Sequence, residues 1–300
     1  MRPSYLKLSR NEFERRIEKL YQILENCELC PRKCHVNRLK NEKGYCGAGK
    51  ELMVSSYFPH FGEEDVLVGR NGSGTIFLTW CNLRCVYCQN YEISNLGEGA
   101  AITEEQCADM MISLQRNGCH NINFVTPTHY TPHLVKAIAI AAEKKLRIPI
   151  VWNCSGYENV EVIKLLKGIV DIYMPDFKYG NSEYAKRYSN APDYFERCKE
   201  SIIEMHRQVG DLKIRNGIAY KGLLVRHLVL PNNIANSEKV LEFIAKIYKN
   251  TYVNIMSQYR PSGEACRYPE INRRISEDEF KYVVDVAKKF GLSINKKSIT

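Results

Sequence analysis

The chain has 300 residues, of which 44% are hydrophobic and 26% charged, ordinary values for a globular protein that exclude wholesale disorder. No run approaches the roughly 18–20 uninterrupted apolar residues of a membrane helix, and residues 1–20 alternate charge without an apolar stretch, which argues against a secretory signal. The formal net charge of +9 falls to about +6 once metal-bound thiolates are counted; the paired lysines at 144–145, 288–289 and 296–297 are scattered, no basic stripe interleaved with aromatics is visible, and nucleic acid is a poor partner.

Residues 9–26 place Phe13, Ile17, Leu20 and Leu24 on one helical face behind Ser9 as N-cap. A Cys-rich segment follows, with Cys27, Cys30, Cys34 and Cys46 among Pro31, Gly44, Gly47 and Gly49. The chain carries 12 cysteines, and seven of them fall in two tight groups. A disulfide scaffold spreads paired cysteines through a short exported chain, so clustered thiols here read as metal ligands in a reducing, cytoplasmic compartment. Four thiolates at this spacing fit either tetrahedral Zn²⁺ or an Fe–S cluster. Residues 51–68 read as short extended pieces split by Pro59 and Gly62.

From Gly74 onward, apolar strand-like runs alternate with helical patterns. Strands are expected at 75–79, 122–125, 148–152, 169–173, 223–230 and 252–256. Helices are expected near 103–117, 132–145, 158–167, 181–209, 237–248 and 277–290, the last with Ser276 and Glu279 at capping-box spacing. Six strand–helix repeats with doubly buried strands describe a parallel α/β array, either an open six-unit barrel or a doubly wound sheet. Both place their chemistry at the C-terminal strand ends. Two parts follow: 1–73, holding the first helix, the Cys-rich metal-binding lobe and short strands, and 74–300, holding the six-unit array.

The first strand of the array runs into Trp80-Cys81-Asn82-Leu83-Arg84-Cys85-Val86-Tyr87-Cys88. Three closely spaced thiolates wrap a single cluster, because each linker is too short to reach a distant site. Three ligands on a four-iron cube leave one iron open for chemistry. A zinc half-site completed by Cys107 or Cys119 is the weaker alternative, since a closed site has no purpose at a strand end.

Cys81-x3-Cys85-x2-Cys88, with Tyr87 before the last cysteine, resembles the signature of radical S-adenosylmethionine (SAM) enzymes. The resemblance implies a partial (β/α)6 barrel and a [4Fe–4S] cluster whose open iron chelates SAM. It also implies reductive SAM cleavage and hydrogen abstraction from substrate by a 5′-deoxyadenosyl radical. Within the superfamily, the loop is similar to that of pyruvate formate-lyase activating enzymes, in a branch of Fe–S proteins with a Cys-rich N-terminus. Asp176-Phe177-Lys178 resembles their Asp-x-Lys motif, which contacts SAM, and Asn153 sits where they carry an Asn-Gly turn. Gln258-Tyr259-Arg260-Pro261 after the last strand extends the likeness. The superfamily's Gly-Gly-Glu stretch is replaced by Thr126-Pro127-Thr128-His129-Tyr130, which leaves the Thr126 and Thr128 hydroxyls or loop carbonyls to accept from the SAM ammonium. The expected cofactor contacts are thus Tyr87, Thr126, Thr128, Asn153, Asp176, Lys178 and Gln258. The expected substrate is a protein or peptide, and the expected electron donor is a low-potential carrier such as flavodoxin or ferredoxin.

His129 and His133 read as mouth residues with acid–base chemistry or, equally, as solvent-facing loop histidines. Arg260, Arg267, Arg273 and Arg274 read mainly as surface charges, and Cys107, Cys119, Cys154, Cys198 and Cys266 mainly as packed or surface thiols. Two competing functions remain: a non-catalytic zinc or Fe–S scaffold that binds a partner, and an RNA-modifying radical SAM enzyme.

Overall fold

The computed structural model describes residues 2–248 and 250–294; Lys296 and Lys297 lie outside them. Ser9 caps α1 (Arg10–Gln22) through a capping box with Glu12, and the Cys-rich turns follow without regular structure. Then come β1 (Leu52–His60), α2 (Asp65–Val68), β2 (Ser73–Leu78), α3 (Tyr91–Ser94), β3 (Ala100–Ile102), α4 (Glu104–Arg116), β4 (Ile122–Val125) and α5 (Thr131–Glu143). The chain continues through β5 (Ile150–Cys154), α6 (Val160–Leu165), β6 (Ile172–Pro175), α7 (Ser182–Ser189), α8 (Tyr194–Val209), β7 (Lys213–Arg215) and β8 (Ile218–Leu228). It ends in α9 (Ser237–Ile247), β9 (Tyr252–Met256), α10 (Glu277–Lys289) and β10 (Ser293–Ile294).

The strand order is β10-β9-β8-β6-β5-β4-β2-β1-β3, with β7 hairpinned onto β8. From β2 to β10 every neighbour is parallel, whereas β1 pairs antiparallel with β2 and with β3. The path ends at β10 and β3 without joining, so the sheet is a mixed, partial barrel open on one side. β5 and β6 are buried at every residue, as strands covered on both faces must be. Among the described residues no helix is long and apolar enough to cross a membrane.

Four expectations needed correction. The extended pieces at 51–68 are one nine-residue strand followed by a helix; Pro59 is tolerated because β3 covers only Leu52–Val54 on that edge, leaving its missing N–H without a ladder partner to lose. The strands expected at 148–152 and 169–173 begin at Ile150 and Ile172, because Ile169 and Val170 spend their apolar side chains in the core from a turn. The helix expected over 181–209 is two helices broken at Asn190, which sits left-handed at φ 47° shortly before Pro192. The strand expected at 223–230 starts five residues earlier, as the return arm of the β7–β8 hairpin.

The barrel interior is closed from below by α2. Leu67 packs on Val151, Ile172, Met174, Ala219 and Leu224, a cluster separate from the main core. One apolar core runs through the rest of the molecule, from Tyr5 and Leu24 to Leu292. The short helical turn Ser4–Lys7, just before α1, is pinned to the barrel wall, with the Tyr5 hydroxyl donating to the Ile148 carbonyl at 3.0 Å and the Ser4 N–H to Asp171 at 2.7 Å.

Candidate functional site

Period-two alternation in a strand puts every second side chain on the same face. The register therefore lines up Asn123 of β4, Asn153 of β5, Arg226 of β8 and Asn254 of β9 on the inner face, with Asp176 bridging to Arg226 just past β6. Above this polar layer β2 ends and the Cys81–Cys88 loop begins. Trp80 (φ 67°) and Arg84 (φ 50°) both take left-handed backbone, a conformation disfavoured for side-chain-bearing residues. Each immediately precedes a cysteine, and the strain turns the sulfurs inward.

Each of the three sulfurs accepts one donor: Cys81 from the Leu83 N–H at 3.3 Å, Cys85 from the Ser189 hydroxyl at 2.9 Å, and Cys88 from the Ser94 hydroxyl at 3.1 Å. Burial pushes the Cys81 thiol up to about 12 and the Cys85 thiol in the same direction, the latter against the opposing charge of Lys178. A thiophilic metal, which binds the thiolate, offsets that desolvation. Three soft donors on one loop, each already hydrogen-bonded, fit an iron–sulfur cluster with one open iron.

The loop roofs a cavity of about 910 Å³, within the range of small-molecule and cofactor sites. Tyr87, Thr126, Asn153, Asp176, Lys178 and Gln258 all line it. Tyr87 donates to the Tyr179 hydroxyl at 2.6 Å and packs edge-on against Tyr259. The Gln258 carbonyl accepts from Gln89 at 3.0 Å, closing the loop over the cavity. Thr126 is left-handed at φ 60°, so the backbone turns at the stretch that stands in place of Gly-Gly-Glu. Thr128 is a correction: it does not line the cavity, because its buried hydroxyl donates to Glu158 at 2.6 Å. His129 and His133 are corrected too. Both are buried; His129 Nε2 lies 2.7 Å from the Thr79 carbonyl and His133 Nδ1 2.9 Å from Glu104, away from the mouth.

The polar floor was largely missed by sequence reasoning. Arg226 donates to Asp176 at 2.8 Å, to Glu63 at 3.1 Å and to Asn153 at 2.7 Å. Lys178 donates to Asp176 at 2.6 Å, and Glu63 also accepts from Asn123 and Asn153. Burial opposes ionisation of Asp176, but Arg226 and Lys178 outweigh it and hold the carboxyl below its usual range. Glu64 moves upward, because burial exceeds the pull of Arg226; it accepts from Asn254 at 2.7 Å. Two signals were available in the sequence: the acidic run 63–65 ahead of an apolar triplet, and one arginine at an inward position of a buried strand. Cys154 also lines the cavity, whereas Cys266 is exposed. Arg267 and Arg273 pair on the surface with Glu264 and Glu279.

The second cysteine group lies beside the first. Gly44 packs so closely on Cys34 that a Cβ there would come 2.8 Å from the sulfur, and the Tyr45 N–H points at that sulfur from 3.4 Å. Arg32 ties the segment to the cluster loop by donating to the carbonyls of Asn82 (3.0 Å), Ser189 (2.8 Å) and Asn190, while stacking on Tyr45.

Residues 75–244 match the family model of the Radical SAM superfamily. Two curated relatives come from Methanocaldococcus jannaschii. Uncharacterized protein MJ0674 is 37% identical over 292 residues, covering 95% of this chain and 80% of that protein. Uncharacterized protein MJ0808 is 25% identical over 200 residues, covering 61% and 58%. Among solved structures, HydG, a maturase of the [FeFe]-hydrogenase, aligns with a TM-score of 0.51 at 13% identity over 97% of this chain and 64% of its own, a likeness of fold. Methylornithine synthase (PylB) aligns at 0.47 and 15% identity, over 97% of this chain and 72% of its own.

Proposed function

The chain belongs to the radical SAM superfamily, and on that premise we propose that it is an enzyme of the pyruvate formate-lyase activating type, acting on a protein or peptide. The observation that carries the catalytic reading is the placement of Cys81, Cys85 and Cys88 over a cavity lined by Asp176 and Lys178. When bound, a [4Fe–4S] cluster and SAM supply one-electron cleavage of a sulfonium bond and, with it, hydrogen-atom abstraction from substrate.

The chain's own residues do the rest. Cys81, Cys85 and Cys88, which line the roof of the cavity, would hold the cluster through three of its irons. Lys178 and Arg226 present cationic donors beside it, Asn153 and the Thr126 turn present polar atoms, and Tyr87 and Gln258 close the loop side against water. Asp176, kept ionised by its two cations, fixes both in place. The finer reading of a macromolecular substrate is supported by aromatic side chains near the open side of the barrel: Phe58 is 41% exposed and Phe61 63%. Phe58 stacks on Phe77, a cavity-lining residue. A low-potential donor such as flavodoxin or ferredoxin in the cytoplasm supplies the electron, and the second cysteine group binds metal, zinc or Fe–S.

The test is low-temperature EPR of anaerobically prepared, dithionite-reduced protein with and without SAM, together with assay of 5′-deoxyadenosine. A signal that changes shape with SAM, and is lost with SAM cleavage in Cys85→Ala, is expected. SAM cleavage that survives Cys85→Ala, or a cluster indifferent to SAM, would overturn the reading in favour of a scaffold.

A further inference from the structure

The four thiols at 27, 30, 34 and 46 are bound up with the catalytic loop more closely than a remote structural clip requires. One knot of turns holds them: the Cys27 N–H donates to the Val36 carbonyl at 3.0 Å, the His35 N–H to the Cys27 carbonyl at 3.2 Å and the Lys33 N–H to the Cys30 carbonyl at 3.1 Å, while Gly44, two residues before Cys46, packs on the Cys34 sulfur. Yet among the described residues no three Cys, His, Asp or Glu side chains converge on a point where one metal ion could sit. A tetrahedral Zn²⁺ with bonds near 2.3 Å draws its sulfurs to within about 4 Å of each other. A four-iron cube instead spreads its thiolates over separate irons, farther apart. Cys81, Cys85 and Cys88 show the same relation, neighbours on one loop over one cavity that do not converge on a single ion.

The backbone devices also repeat. Lys33 (φ 43°) precedes Cys34 in left-handed conformation, as Trp80 and Arg84 precede Cys81 and Cys85. The Tyr45 N–H points at the Cys34 sulfur from 3.4 Å, as the Leu83 N–H points at the Cys81 sulfur from 3.3 Å.

The two groups then share a wall. A Cβ on Gly47, next to Cys46, would lie 2.5 Å from the ring of Trp80, next to Cys81. The Tyr45 hydroxyl donates to the Leu83 carbonyl at 3.3 Å, and Arg84 returns a bond to the Tyr45 carbonyl at 3.3 Å.

We propose that Cys27, Cys30, Cys34 and Cys46 hold a second iron–sulfur cluster, not a zinc ion, separated from the first site by the Gly47–Trp80 contact. The comparison with the first group rests on Cys81, Cys85 and Cys88 being cluster ligands, as argued above. Each cluster takes one electron from dithionite, which is oxidised.

The experiment compares iron, sulfide and zinc content and EPR spectra of the anaerobically reconstituted full chain with those of the Cys81→Ala/Cys85→Ala/Cys88→Ala variant. The expected result is about eight irons per wild-type chain and about four in the variant, whose reduced signal ignores SAM. The wild-type count decides the matter even if the variant fails to fold. About four irons plus one zinc in the wild type, with zinc alone in the variant, would overturn this proposal and leave the radical SAM reading intact. Eight irons with no response to SAM would do the reverse. The fully reduced wild-type spectrum is expected to be broadened by interaction between the two spins. A spectrum equal to the sum of two isolated clusters would overturn the shared wall.

Discussion

Replacing Arg226 by Met keeps the length of the side chain and removes the charge from the barrel floor. Arg226 bonds to Asp176, Glu63 and Asn153 together, over 2.8, 3.1 and 2.7 Å, and its side chain is 15% exposed. Breaking a buried ion pair by removing one partner costs 3–5 kcal/mol, because the other charge is left uncompensated. Here Asp176 retains Lys178 at 2.6 Å, and Glu63 retains the amides of Asn123 and Asn153, which places the loss at the lower end, about 3 kcal/mol. At 2–4 °C per kcal/mol for a large domain, Tm falls by about 6–12 °C. The gap should depend on pH in a fixed direction. Asp176 has a folded pKa below its usual value, so its contribution is present above the ordinary carboxylate pKa and is lost as pH falls through the lower folded value. The wild type loses this support on acidification while the variant has less of it to lose, so the gap between the two Tm values is constant down to about pH 4 and closes only below it. Scanning calorimetry of the anaerobically purified protein measures both. A loss under about 1 kcal/mol at pH 7, or a gap that widens in acid, would refute the reasoning that Arg226 holds the floor.

Three further outcomes are expected. Burial raises Glu158 to about 8, so the folded chain keeps a proton that the unfolded chain releases above about pH 4.5; wild-type stability then falls by up to about 1.4 kcal/mol per pH unit between pH 5 and 8, and Glu158→Gln removes that slope in denaturant titrations, whereas an unchanged slope would assign it elsewhere. Gly97→Ala places a Cβ 2.2 Å from the Trp80 indole at a position with φ +74°; it should displace Trp80 and lower iron content and visible absorbance, and full iron loading would show that Trp80 does not set the loop. Arg32→Ala removes three bonds to the carbonyls of Asn82, Ser189 and Asn190, each charge-assisted bond worth about 1.5–3 kcal/mol; amide exchange over residues 27–48 should rise at least tenfold, and unaltered protection would place the anchorage of that segment elsewhere.

Local pattern carried much of the barrel. Ser276 with Glu279 and Thr103 with Gln106 form capping boxes, and strand 252–256 lies where its apolar run ends, because these signals are complete within a few residues. What local pattern missed is where chain breaks and pairings are set from a distance. Asn190 divides a helical run through one left-handed residue. Residues 66–68 are as apolar and β-branched as a strand, but they form the short plug helix, since Leu67 is needed under the barrel on Val151, Ile172 and Leu224. Tertiary demand overrides propensity over so short a segment.

The site divides the same way. The Cys81–Cys88 loop was legible because its ligands are neighbours in sequence, and Asp176 and Lys178 because they follow a strand end. Glu63 and Arg226 were not, because they meet across 163 residues, and the other side chains they bond, Asp176, Asn123 and Asn153, lie on other elements. Thr128 and His129 follow a strand end as Thr126 does, yet only Thr126 reaches the cavity. The left-handed turn at Thr126 sends the next residues back under the loop, where Glu158 and the Thr79 carbonyl take their polar atoms. The floor therefore depends on an element outside the six strand–helix units: the turn after β1 brings Glu63 and Glu64 up beneath the cavity while α2 closes the barrel below them. A barrel started at β2 would leave Arg226 with one of its two carboxylate partners and expose Leu67's cluster to water. For this chain the segment before the first barrel strand is part of the site.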